Sequence, residues 1–425
     1  MVAERIVVIG GGFAGASVAK ALLARSEPGA LRIALLEREP GGACDRFELL
    51  RVLRGETSVP DSARFEPAGL VERGVHYHAG APVHLIDRFR RVVQAEGMAL
   101  PYDRLVLATG SSPYLPSIHG LLQADGSLHP RVFTLHTLRD GELANRALES
   151  AKRVAVLGGG RFGIEVVEAL CRRGLDVHLF QLGTRLMSGQ LDQAAAGLLK
   201  SKLEAVGAQI QLGACASAVE PRPQGLSLLF RDGRRFECDV ALLAAGTQPD
   251  TWLAYQCGLA VERGVVVESR MRSLDDFNIH ALGECAQWRG VVHALPEQIV
   301  DQAQVIAEHI VSSHSQRRYR GFRQAALYQV MGLNLTTLGR PESRDDEDVV
   351  QLQEPSRSRY KKMVLRDGRL VGAILMGDVR QAANLSRLYD SNTRLPREAQ
   401  HRLFDLVVPA EQPASPSLAL QSALE

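Results

Sequence analysis

Residues 6–22 read IVVIGGGFAGASVAKAL and residues 154–170 read VAVLGGGRFGIEVVEAL, with every glycine in register. Each begins with a β-branched, apolar run of the kind that fills a strand buried on both faces, and each run stops at three glycines. Gly10 permits the tight turn that must follow. Gly12 lets a phosphate approach the backbone with no Cβ in the way, and Gly15 lets the next helix pack closely on the strand. The first helical turn, which holds Phe13 and Ala14, then offers N–H groups and a positive dipole end to a pyrophosphate. Gly158, Gly160 and Gly163, with Phe162 between them, repeat the same pattern.

A lone GxGxxG says little, so the context carries the inference. Each copy precedes a second strand at the spacing of a nucleotide-binding βαβ unit: LRIALLE ends at Glu37, and LDVHLFQ ends at Gln181. Glu37, followed by Arg38, is placed to accept from a ribose hydroxyl. Two dinucleotide sites in one chain imply that one nucleotide stays bound while the other comes and goes.

The bulk composition fits this. A chain of 425 residues exceeds one ordinary core, and its 45% apolar content is that of a globular protein. The net charge of +2 implies no nucleic-acid or membrane field, and the basic run SRSRYKK, Ser356 to Lys362, reads as a solvated strand face. The apolar stretch 6–24 contains a triple glycine and Lys20, which argues for strand, turn and helix rather than a membrane span. Six cysteines (Cys44, Cys171, Cys215, Cys238, Cys257 and Cys285) show neither CxxC nor CxxxxC spacing. That pattern fits reduced thiols in a cytoplasm and argues against a zinc or iron–sulfur site, both of which need clustered thiolates, and His76, His78, His280 and His293 show no ligand spacing either.

Further along, YDRLVLATGSSPYLP, Tyr102 to Pro116, closes a buried strand on a glycine turn and reads as a hinge. Asp232–Gly233 and Asp367–Gly368 each sit between alternating runs as hairpin turns. A strand and glycine return at IHALGECA, residues 279–286, before a helical pattern over 297–311, and the Pro-, Ser- and Ala-rich tail 411–425 reads as disordered.

The two glycine units, the ATG of Ala108, Thr109 and Gly110 between them, and LGECA after them together resemble the FAD-dependent pyridine nucleotide-disulfide oxidoreductases. Finer segments (LMSGQLDQAAAGLLKSKLEAVGAQIQLG, CGLAVERGVVVESRMRSLDDFNIHALGECAQW and LVGAILMGD) are similar to the flavin module of assimilatory nitrite reductase large subunits and to rubredoxin reductases. The resemblance implies an α/β fold of two Rossmann-like dinucleotide-binding domains, the NAD domain inserted in the FAD domain, plus a small C-terminal α+β interface domain. The FAD domain would span 1–116 and 246–316, the NAD(P)H domain 117–245 and the interface domain 317–410, which makes a homodimer a reasonable expectation. It implies FAD contacts from Gly10, Gly12, Phe13, Ala14, Gly15, Glu37, Arg38, Ala108, Thr109, Gly110, Gly246, Gly283 and Glu284, with Glu284 reaching the ribityl chain where most members have Asp. Gly158, Gly160, Phe162, Gly163 and Gln181 would hold NADH or NADPH. Nitrite reductase large subunits continue into cysteine-rich regions, whereas the last cysteine here is Cys285, so the chain is expected to pass electrons to another redox protein: a nitrate or nitrite reductase subunit, or a rubredoxin.

Three residues are candidates for the chemistry. In the family a Lys near the second loop pairs with a Glu after the second glycine motif; Arg51 and Glu165 fall at those places and are expected to pair beside the flavin. Cys44 stands near the redox cysteine of single-cysteine coenzyme A disulfide reductases and NADH peroxidases, but DRFEL follows it and no second cysteine is close. A dithiol relay is excluded, and a single-thiol relay or an adjacent structural thiol both remain open. Gln181 neither pairs strongly with a ribose 2′-hydroxyl nor attracts a 2′-phosphate, and Arg185 four residues on is read as structural, so NADH is favoured on resemblance.

Overall fold

The computed structural model describes residues 3–45, 48–55, 68–312, 314–321 and 326–396. The tail expected to be disordered lies outside them. Ile6, Val8, Leu35 and Leu105 are fully buried, as β-branched and leucine runs must be in a sheet covered on both faces. Their strands form a five-stranded parallel sheet in the order Ile279–Ala281, Arg104–Leu107, Glu4–Ile9, Leu31–Leu36, His76–His78. Helices Phe13–Leu23 and Pro296–Val311 pack against each other on this sheet. The strand Ile279–Ala281 joins from the far side of the chain, after a second complete sheet has intervened.

That second sheet is also five-stranded and parallel, ordered Gln209–Leu212, Asp176–Gln181, Arg153–Leu157, Val240–Leu243, Val132–Phe133. Helix Arg161–Arg172 follows its central strand, as Phe13–Leu23 does in the first sheet. A three-stranded antiparallel sheet leans on it and turns at Asp232–Gly233, where Gly233 has φ +83°. Two connections cross between the parallel sheets and pair antiparallel, Ser111–Pro113 with Thr247–Pro249.

The C-terminal sheet has five antiparallel strands: Ala326–Val330, Leu333–Gly339, Arg369–Met376, Arg359–Arg366 and Asp348–Glu354 in spatial order. Asp367 and Gly368 join two of them with φ of 50° and 72°, the backbone that a tight hairpin of right-handed twist requires. This sheet buries Val330, Met331, Tyr360 and Ile374 in the same core as Val166, Val167 and Leu170 of helix Arg161–Arg172 and Leu50 and Leu53 of helix Leu49–Leu53. Three parts of the chain are thereby locked around one hydrophobic cluster.

The basic run at 356–362 is not the solvated face its composition suggests. Lys361 and Lys362, adjacent on opposite faces of their strand, are both buried. Lys361 Nζ donates to Asp378 Oδ2 at 2.9 Å and Gln381 Oε1 at 2.7 Å, while Lys362 Nζ donates to Asp192 Oδ2 at 3.0 Å. Buried ammonium groups persist only with such partners, and both sequence-distant acids supply them.

Candidate dinucleotide cleft

The two glycine turns are built alike atom by atom. Gly10 has φ +107°, and a Cβ there would lie 2.2 Å from Ala108 O; Gly158 has φ +122° and would meet Ala244 O at 2.3 Å. Likewise a Cβ on Gly15 would strike Gly10 O at 1.9 Å, and one on Gly163 would strike Gly158 O at 2.0 Å. Chain packing alone demands these four glycines.

Gly12 and Gly160 differ. Their φ values of −70° and −76° suit any residue, and a Cβ would meet Ala43 Cβ at 3.9 Å in one case and nothing within 4 Å in the other. Each is also the N-cap of its helix, and neither helix has a side-chain cap. The space a Cβ would fill, in front of a helix N-terminus, is where a phosphate fits.

The middle glycines were not singled out by motif spacing, yet the structure uses both. Gly11 N donates to Glu37 Oε2 at 2.7 Å, and Gly159 N donates to Gln181 Oε1, also at 2.7 Å. A Cβ on Gly11 would lie 2.9 Å from Glu37 Cβ, so the glycine lets the acid lie across the turn. Glu37 is buried and its other oxygen accepts from Glu39 N at 2.9 Å, yet a carboxylate has roughly four acceptor sites, which leaves capacity for a ribose hydroxyl. The run of three glycines was the available signal.

A cleft of about 1840 Å³ opens from the first turn. Ordinary small-ligand pockets hold roughly 300–1,000 Å³, so this one has room for a dinucleotide and the head of a second. Its walls include Gly10, Gly12, Phe13, Ala14, Glu37 and Arg38, then Ala108, Thr109 and Gly110, and Glu284. Arg161, Phe162 and Glu165 enter it from the second glycine unit, with Cys44 from the loop after the first and Arg51 from helix Leu49–Leu53. Gly158, Gly160, Gly163, Gln181 and Gly246 are not among these wall residues.

Asp250, unremarked in the sequence, organises one end. Arg38 Nη1 lies 3.2 Å from Asp250 Oδ2, Thr109 Oγ1 donates to Asp250 O at 2.6 Å, and Asp250 N donates to Gly110 O at 2.9 Å. Glu284 stands on a short turn begun by Gly283, whose N–H donates to Gln302 Oε1 at 2.8 Å. Its carboxylate accepts from Ser111 Oγ at 2.6 Å and Thr247 Oγ1 at 2.9 Å, so it ties together the two strands that cross between domains. Gly246 O accepts from Tyr114 N in the same crossing.

The expected Arg51–Glu165 pair is not formed. Arg51 Nη1 pairs with Glu48 Oε2 at 3.2 Å, one turn back on its own helix, and its side chain is 43% exposed. Burial pushes the Glu165 carboxyl above the usual range, Glu168 adds to this, and Arg161 and Arg54 oppose it together with the Met331 N–H. The helix phase decides this: Leu50 and Leu53 point into the shared core, and Arg54 rather than Arg51 acts on Glu165. Cys44 Sγ lies 3.9 Å from His136 O and packs beside Leu49 and Leu138, and none of the six cysteines, all of them among the described residues, is in a disulfide.

The pyridine nucleotide-disulphide oxidoreductase model matches residues 4–309. The chain belongs to that family of FAD-dependent, NAD(P)H-linked oxidoreductases. The rubredoxin NAD+ reductase C-terminal domain model matches residues 326–393. Nitrite reductase [NAD(P)H] of Bacillus subtilis is 27% identical over 416 residues, 98% of this chain and 50% of that protein. The assimilatory nitrate reductase electron transfer subunit of Bacillus subtilis is 29% identical over 389 residues, 91% of this chain and 49% of that one. The chain thus spans about half the length of these relatives. A chain of the covalent putidaredoxin reductase–putidaredoxin complex shares the fold, with a TM-score of 0.81 at 24% identity over 96% of this chain and 97% of that chain. Among the described residues no helix is long and apolar enough to cross a membrane, and no group of three His, Cys, Asp or Glu side chains is placed to hold a metal.

Proposed function

We propose that the chain is an FAD flavoprotein that oxidises a nicotinamide nucleotide, NADH by preference, and passes the electrons to a separate redox protein in nitrate or nitrite assimilation. One observation carries this reading. The first residues of the second nucleotide motif, Arg161 and Phe162, with Glu165 one turn on, line the same cleft as the first motif. A nucleotide held on the second turn therefore extends its head toward one held on the first. Bound flavin would supply the redox chemistry, taking a hydride, that is a proton with two electrons, and releasing the electrons singly or together and the proton to solvent.

The residues of this chain position and tune. Gly12 and the N-terminus of helix Phe13–Leu23 receive the pyrophosphate, Glu37 takes a ribose hydroxyl, and Arg161, Arg54 and Glu165 set the charge where the two heads meet. The names of the nitrite and nitrate reductase relatives support the pathway, and the C-terminal match supports a rubredoxin as the alternative acceptor. Unclustered cysteines outside any disulfide support a cytoplasmic setting.

A second reading rests on Cys44, which lines the cleft: a single-thiol coenzyme A disulfide reductase, peroxidase or oxidase. Anaerobic titration with NADH and with NADPH, following the flavin bands, tests the first reading; bleaching supports it and its absence with flavin bound overturns it. Cys44→Ser separates the two, since turnover with a protein acceptor survives in the first and peroxide or disulfide turnover is lost in the second.

A further inference from the structure

Arg185 lies in the loop after Gln181, and that loop is folded against the second glycine turn. Met187 N donates to Gly159 O at 2.9 Å, and Gly213 N donates to Gly183 O at 3.0 Å. Gly183 is so close to the Gln181 amide that a Cβ there would lie 3.1 Å from Nε2. Arg185 is thus carried on the loop that follows the strand end where such a fold reads a ribose 2′ substituent, and an arginine on that loop can accommodate a 2′-phosphate. Here its guanidinium is committed elsewhere. Nε donates to Leu191 O at 3.0 Å, Nη2 donates to Ser188 O at 3.2 Å, and Nη2 lies 2.7 Å from Glu342 Oε1.

Glu342 belongs to the C-terminal sheet domain, in the loop between strands Leu333–Gly339 and Asp348–Glu354. The same two parts of the chain meet again close by: Asp192, next to Leu191, accepts from Tyr360 and Lys362 of the C-terminal sheet. We propose that Glu342 determines nucleotide choice by holding Arg185, so that the second motif prefers a nucleotide with a free ribose 2′-hydroxyl over one carrying a 2′-phosphate. A guanidinium already paired with a carboxylate offers a dianion no net charge. With side-chain exposures of 25% for Arg185 and 49% for Glu342, the pair can be broken without stranding a buried charge.

The inference rests on the reading of the second motif as a nicotinamide nucleotide site. Its test is calorimetric binding of NAD+ and of NADP+ to the FAD-loaded protein, in wild type, Glu342→Gln, Glu342→Ala, Arg185→Ala and the double variant Glu342→Gln/Arg185→Ala. Glu342→Gln is expected to tighten NADP+ about tenfold and to change NAD+ by less than about twofold, the gain of one charge-assisted contact. The double variant returns the ratio to that of wild type. An unchanged ratio in both Glu342 variants overturns the proposal, as does a gain that persists in the double variant, because Glu342 would then act without Arg185. Binding of both nucleotides with no bleaching of the flavin by their reduced forms defeats the hydride reading alone; binding of neither defeats both.

Discussion

Lys362 Nζ lies 3.0 Å from Asp192 Oδ2, with both side chains buried between the second nucleotide-binding domain and the C-terminal sheet. Asp192 also caps helix Gln193–Ala205 by accepting from Ala195 N at 3.0 Å. Asp192→Ala removes the cap and strands a buried ammonium, so it should cost about 3–5 kcal/mol in chemical denaturation. The double variant Asp192→Asn/Lys362→Met keeps a capping oxygen, removes the buried charge and is expected to recover most of that loss.

The glycines separate folding from ligand binding. Gly12→Ala places its methyl no closer than 3.9 Å to the protein, so the chain should fold with native circular dichroism while holding FAD about tenfold or more weakly. Gly15→Ala would put a Cβ 1.9 Å from Gly10 O, and its cost of about 1–3 kcal/mol should appear as a lowered Tm. Full flavin content in Gly12→Ala after gel filtration would show that no phosphate approaches there.

Glu165 and Arg51 should differ in their effect on the flavin. Removing a carboxylate from the cleft wall favours added electrons, so Glu165→Gln is expected to raise the two-electron potential by about 30 mV, the equivalent of a tenfold shift. Arg51→Ala should move it less, because Arg51 is half exposed and paired with Glu48. Dye-equilibrated redox titrations compare them.

Burial and the neighbouring Glu37 push the Glu39 carboxyl from 4.5 up to about 7. The folded state therefore keeps a proton that the unfolded chain releases, and the stability this confers is complete below about pH 4.5 and is lost as pH rises through 7. Glu39→Gln should flatten that dependence and melt above wild type at pH 8, with little difference at pH 4. Thermal melts at the two pH values read the effect directly.

The paired glycine turns were legible because their constraint is local: a backbone carbonyl 2.2 Å from a would-be Cβ admits only glycine, and the strand before it must be apolar. Glu37 and Gln181 were legible as the ends of the next strands, although their bonds to Gly11 and Gly159 were not foreseen. Asp250 carries no signal in the sequence because its role is made by three segments that meet only in the folded chain, through Arg38, Thr109 and Gly110.

By itself, then, the sequence determined two nucleotide-binding units and the order in which they are threaded, since turns, strands and helix starts answer to residues a few positions away. Tertiary structure alone decided the partners of the charges. Lys362 meets an acid 170 positions distant, Arg185 is held by another domain, and Glu165 acquires Arg161 and Arg54 in place of Arg51. Coulomb attraction has reach but no address in the sequence, and the packing of the hydrophobic core chooses which charges come together.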